Sequence, residues 1–267
     1  MGNMFAYGFM QRAFIVAALI ALIAPCIGIT IVLKRLSAIG DAASHSALAG
    51  IAFGIVIGIN PVLGAVIFAV AAVLGIEAFR KKFSRYPEVA TVVVMSAGIG
   101  LTAIISGFIT DGSENLNSFL FGSIVAISNF ELFMTIILAV LVLIITMLLY
   151  KEIFYITFDE PAAKLAGVPV KSINLIIMIL TAVTVSVASR VVGALMISSL
   201  LVIPVAAAML VAKSYKSTLI ISIVFAEAFT LLGLTASFYL NLRPGGTIVL
   251  LGVITLMVLM FVKGNKR

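Results

Sequence analysis

Asp41 and His45 are the two side chains in this sequence whose types and spacing most clearly point to chemistry. They lie in the run Ser37-Ala-Ile-Gly40-Asp41-Ala-Ala-Ser44-His45-Ser46, inside an otherwise apolar stretch. Residues four apart on a helix share one face, one turn apart. A carboxylate and an imidazole placed this way suit a borderline divalent cation. Imidazole fits zinc, and carboxylate oxygen fits manganese or iron. Two donors do not close a metal site, but two copies of the pair across a symmetric dimer supply four. His45 is the sole histidine and Cys26 the sole cysteine, so no disulfide or thiolate cluster can form within the chain. Cys26 lies in an apolar run and reads as a packing residue. The eleven methionines are scattered, which suits core filling better than copper ligation.

The elements that must position this pair are membrane helices. Of the 267 residues 63% are apolar and 10% charged, whereas a soluble domain carries about 25% charged residues. Apolar runs of roughly 20 residues, the length that crosses a bilayer, fall at about 13–33, 37–58, 61–79, 88–109, 131–150, 172–190, 193–212, 217–240 and 247–262. The sequence therefore predicts an all-α, polytopic transmembrane bundle of about eight or nine spans. No polar linker divides it, so residues 1–267 form a single domain on this reading. The first span is too long for a cleaved signal peptide and more spans follow it. The stretch 116–128 is shorter and predicts a lateral or re-entrant helix. It belongs to the segment 110–130 with Asp111, Glu114, Asn115 and Asn117.

Orientation follows from the basic residues. With the N-terminus outside, one face receives Lys34, Arg35, Arg80, Lys81, Lys82, Arg85, Lys151, Lys164, Lys171, Lys213, Lys216, Lys263, Lys266 and Arg267, or 14 of the 17. Arg12, Arg190 and Arg243 fall on the other. The first face is cytoplasmic by the positive-inside rule, which gives N-out and C-in. The net charge of +7 thus reflects topology, and no basic-aromatic patch suggests nucleic acid.

A charge inside a bilayer is costly, at about 2.5–3.5 kcal/mol on insertion scales, so each needs a reason. On a helix starting near Ser37, His45 lies about 12 Å deep. Gly50, Gly54 and Gly58 follow at four-residue spacing, roughly opposite Asp41 and His45. Small residues so spaced let helices approach closely. Glu227 is the other deep acid. It is a candidate for the ion path or a proton relay, and equally for a bond to a neighbouring helix. Pro25 and Pro204 fall within spans, where proline favours a kink.

The loop 151–171 is the longest on the basic face. Within it, Asp159 suits a helix N-cap, Pro161 the first turn, and Gly167 the stop, with Pro169 beyond. A helix of about two turns is predicted there, surplus to the need to join two spans and suited to contact with a cytosolic partner. The chain has no G-x-x-x-x-G-K-[ST] pattern, HExxH or Ser-His-Asp layout, so it is not expected to be an enzyme or its own ATPase.

Three segments resemble the metal-ion permease family of bacterial ABC transporters, which imports zinc, manganese or iron. The first runs from Val32 through Lys34, Arg35, Gly40, Asp41, Ser44, His45 and Gly50. The second is Val192-Gly193-Ala-Leu-Met-Ile-Ser-Ser-Leu-Leu-Val-Ile-Pro204. The third is the loop from Asp159 to Gly167. The resemblance implies a homodimeric importer permease in the bacterial cytoplasmic membrane. Asp41 and His45 would be metal-coordinating residues in the path. Asp159, Glu160, Pro161, Ala162, Lys164, Leu165, Ala166 and Gly167 would form the coupling helix. The resemblance also implies cytoplasmic ATPase subunits that bind ATP, an extracytoplasmic metal-binding protein as donor, and a transported zinc or manganese ion with no covalent cofactor. Ala49 stands where the family often has proline. The competing readings are a proton-coupled secondary metal transporter using Glu227 and Asp41, and a non-transporting membrane scaffold.

Overall fold

The computed structural model describes residues 7–83, 86–109, 113–123, 127–194 and 196–264. Arg85, Asp111, Lys266 and Arg267 lie outside the described residues, as do the side chains of Lys81, Glu114, Asn115 and Asn117. Among the described residues the regular elements are twelve α-helices. In chain order they are α1 (Gly8–Leu33), α2 (Ala38–Ile57), α3 (Pro61–Lys82), α4 (Pro87–Ser106), α5 (Ser113–Phe121) and α6 (Asn129–Leu148). Then follow α7 (Tyr150–Phe158), α8 (Glu160–Leu165), α9 (Val170–Ala188), α10 (Ile197–Val211), α11 (Tyr215–Leu240) and α12 (Pro244–Gly264).

Eight of these, α1–α4, α6, α9, α11 and α12, are long and apolar enough to cross a membrane. The ninth expected span, 193–212, is shorter than its apolar run suggests. It is the 15-residue α10, and the described residues before it, 189–194 and 196, lie in turns rather than in a helix. The turns arise because Gly193 takes φ +95° and Ala194 N–H donates to the Phe119 carbonyl of α5, at 2.8 Å, instead of continuing a helix. The segment 116–128 holds the end of α5, whose nine residues are too few to span. The loop 151–171 is also more ordered than a single short helix. A break at Leu149 separates α6 from α7, and α8 follows at once.

Helix starts are set by local chemistry. Asn60 Oδ1 accepts from Val62 N–H at 2.9 Å, with Pro61 in the first turn of α3. Ser128 and Glu131 form a reciprocal capping box on α6. Ser214 caps α11 through Ser217 N–H. The core is centred on α1, α2 and α9, while α4 and α12 are largely exposed, as lipid-facing helices would be. Pro25 and Pro204 are buried inside α1 and α10. Cys26 is buried in α1 with its thiol toward the Leu22 carbonyl, at 3.4 Å.

Candidate metal pathway

α2 carries the acid–imidazole pair. Asp41 lies in its first turn and is exposed on the surface of the single chain, and His45 is half-buried one turn further on. α2 begins at Ala38, so His45 sits about 10 Å along a helix of about 30 Å. The neighbouring α4 fixes this stretch of backbone. Thr102 Oγ1 donates to the His45 carbonyl at 3.4 Å and to the Gly98 carbonyl at 2.8 Å. A Cβ on Gly98 would come within 2.9 Å of the Ser46 nitrogen and hydroxyl. Gly98 is close to the middle of α4, so His45 and Ser46 lie level with mid-helix of their neighbour.

The opposite face of α2 is pressed on α3. A Cβ on Gly50 would overlap the Gly64 carbonyl, and one on Gly64 would overlap the Gly50 carbonyl. A Cβ on Gly54 would come within 3.0 Å of Pro61 Cα. Gly58, grouped with these by spacing, does something else. It has open space around its Cα and ends α2 in the left-handed region at φ +74°, where a side chain would strain the backbone.

Glu227 sits midway along α11 and is half-buried. α11 packs mainly on α1, α10 and α12 rather than on α2, so one chain does not bring Glu227 against Asp41 and His45 as packed neighbours. Among the described residues no group of three or more His, Cys, Asp or Glu side chains is gathered. Asp41 and His45 are thus two donors open toward the outside of the chain.

On the expected cytoplasmic side, Asp159 Oδ1 accepts from Ala162 N–H at 2.9 Å and caps α8. Gly167 takes φ +83° just beyond it. Ala163 is the buried residue of α8. Asp159, Glu160, Pro161, Lys164, Ala166 and Gly167 are exposed, Ala162 is half-buried, and Leu165 is 91% exposed.

Among the described residues two ion pairs join distant parts of the chain, and no sequence pattern points to either. Lys34 meets Glu160 at 2.8 Å. Arg190 Nε meets Glu131 Oε1 at 3.2 Å, with the Arg190 guanidinium 4.3 Å from the centre of the Phe119 ring in α5. The Ser128-x-x-Glu131 cap was a readable signal for Glu131, though not for its partner.

The sequence model of the ABC 3 transport family matches residues 6–263. The chain belongs to that family. A probable metal transport system membrane protein of Treponema pallidum is 34% identical over 256 residues, covering 95% of each chain. The manganese transport system membrane protein MntC of Listeria innocua is 33% identical, over 93% of this chain and 88% of its own. The solved structure of PsaBC from Streptococcus pneumoniae in complex with Fab superposes with a TM-score of 0.86 at 29% identity. It covers 96% of this chain and 92% of that one. This ABC 3 family permease is therefore a multi-pass protein of the cytoplasmic membrane and a transport component, not a catalytic enzyme.

Proposed function

We propose that this permease carries a divalent transition metal ion inward through a path lined by Asp41 and His45, with manganese as the first cargo to test. The observation carrying this reading is the exposure of Asp41, one helical turn from His45, on a helix long and apolar enough to span a membrane. A carboxylate facing lipid is costly, up to about 2.5–3.5 kcal/mol at the bilayer centre. A second copy of the chain laid against this face removes that cost and supplies the second Asp–His pair. Four mixed oxygen and nitrogen donors would hold a borderline cation firmly enough to capture it and weakly enough to release it.

The donor set suits manganese, zinc and iron, and the manganese names of relatives favour manganese. Energy comes from separate ATPase subunits, since the sequence has no phosphate-cradling loop of its own. The exposed side of α8, with Leu165 at its end, is the docking element for those subunits on the cytoplasmic face. An extracytoplasmic binding protein delivers the ion to the outer face. Membership of an ATP-binding-cassette family speaks against the proton-coupled alternative.

The test is reconstitution with the ATPase and the binding protein in liposomes, followed by ATP-dependent uptake of manganese with zinc and iron as competitors. Asp41→Ala and His45→Ala should each lower uptake on the order of 100-fold in assembled complexes. Survival of uptake in both variants would end the assignment of the path.

A further inference from the structure

We infer that Lys34 and Glu160 form a strut that transmits movement of α8 to the metal-bearing helix α2, which makes both of them positioning residues for transport. The inference rests on the reading of α8 as the ATPase-docking helix.

Lys34 is the C-cap of α1. Its Nζ donates to Glu160 Oε2 at 2.8 Å and to Asn174 Oδ1 at 2.8 Å. One ammonium thus joins the α1–α2 turn to the first residue of α8 and to the beginning of α9. The Lys34 side chain is only 12% exposed, while that of Glu160 is 48% exposed. A pair this open adds little to stability. Its consequence is geometric.

A cavity of about 600 Å³ opens here, lined among others by Thr30, Lys34, Glu77, Arg80, Glu160 and Asn174. The space around the pair is therefore not filled with packed side chains, and α8 buries only Ala163 of its own residues. A polar link across a cavity leaves room for α8 to shift while staying attached.

The connection from Lys34 to Asp41 has no slack. Arg35 occupies the left-handed region at φ +58°, and Arg35 N–H donates to the Val32 carbonyl at 3.0 Å. Leu36 N–H donates to the Ile31 carbonyl at 2.8 Å, which completes a Schellman closure of α1. Ile39 N–H and Gly40 N–H then bond back to Leu36 and Ser37 at 2.9 and 3.2 Å, which starts α2 at once. Asp41 is in that first turn. A push on Glu160 is therefore passed through a hydrogen-bonded turn to the carboxylate of the path, with no flexible loop between to absorb it.

The test compares manganese uptake with ATP hydrolysis in the same liposomes holding permease, ATPase and binding protein. The variants are Lys34→Met, Glu160→Gln, the double K34M/E160Q, the charge swap K34E/E160K, and Glu77→Gln as a cavity-lining control. Lys34→Met, whose side chain lies off the docking helix, should assemble and hydrolyse ATP like the wild type while uptake per ATP falls about tenfold, within the range of coupling between directly paired residues. Glu160→Gln should lower uptake per ATP by the same factor. The double should fall no further than either single. The swap should regain most of the loss, with the Asn174 amide now donating to the new carboxylate, and Glu77→Gln should leave the ratio unchanged. Any of four results overturns the strut: an unchanged ratio in the singles, hydrolysis and uptake falling together, losses that multiply in the double without recovery in the swap, or an equal loss in Glu77→Gln. A wild-type complex that takes up no metal would overturn the importer reading and the strut with it.

Discussion

Gly50 of α2 and Gly64 of α3 lie back to back, so close that a methyl group on either would overlap the other's carbonyl oxygen. This contact holds the face of α2 opposite the acid–imidazole pair. Gly50→Ala should therefore destabilise the protein by about 1–3 kcal/mol, the usual cost of overpacking. Gly100→Ala on α4 has open space around it and should leave stability unchanged or slightly raised. Thermal unfolding of both variants in detergent is the check, and equal melting temperatures would contradict the packing described.

Removing either donor of the proposed path should stop transport without unfolding the chain. Asp41 is exposed in the single chain and His45 only half-buried, so neither side chain is a core element. Asp41→Asn and His45→Ala should each lower manganese uptake on the order of 100-fold, at least the loss seen when a metal ligand's supporting partner is removed. Melting temperatures should stay near wild type. A variant that loses uptake because it no longer folds would show itself in that second measurement.

The Glu131–Arg190 pair should behave as a structural lock. Glu131 Oε2 accepts from Ser128 N–H at 2.7 Å while Oε1 faces Arg190, and the residue is only 8% exposed. Glu131→Ala removes the side-chain half of the capping box, though not the Ser128 cap itself, together with the carboxylate opposite a largely buried guanidinium. The expected cost is about 3–5 kcal/mol, and Glu131→Gln should cost less because its amide oxygen can still accept. Unfolding midpoints of the two variants should rank in that order.

Leu165 is 91% exposed at the end of α8, the helix proposed to dock the ATPase subunits. Leu165→Ala should weaken association with the ATPase subunit about tenfold, a cost in keeping with an interface anchor. It should leave the melting temperature of the isolated permease unchanged. Titration of detergent-solubilised permease with the ATPase subunit measures this directly, and an unaltered affinity would remove α8 from the interface.

Much of this architecture was readable in the amino-acid sequence, because apolar runs the length of a bilayer leave little choice of fold. The Asp41–His45 spacing was readable for the same reason, since helical periodicity puts both on one face. The short α10 was not. Hydropathy is continuous across 193–212 and does not register a backbone turn at Gly193 or its bond to α5. Glu160 was picked out with its loop and Lys34 for its charge, yet 126 residues separate them and no local pattern joins the two. Spacing alone does not separate Gly58 from Gly50 and Gly54, because four-residue spacing is the same whether a glycine packs a helix or ends it.

α10 rises only about 22 Å, less than the roughly 30 Å thickness of a hydrocarbon layer. The turns that precede it are tied to α5 and the segment after it by main-chain bonds, Ala194 N–H to Phe119 and Ser123 N–H to Arg190. Buried amides of this kind need partners. Were the seam to part, water would have to take the place of the lost bonds, so loosening these turns means wetting them.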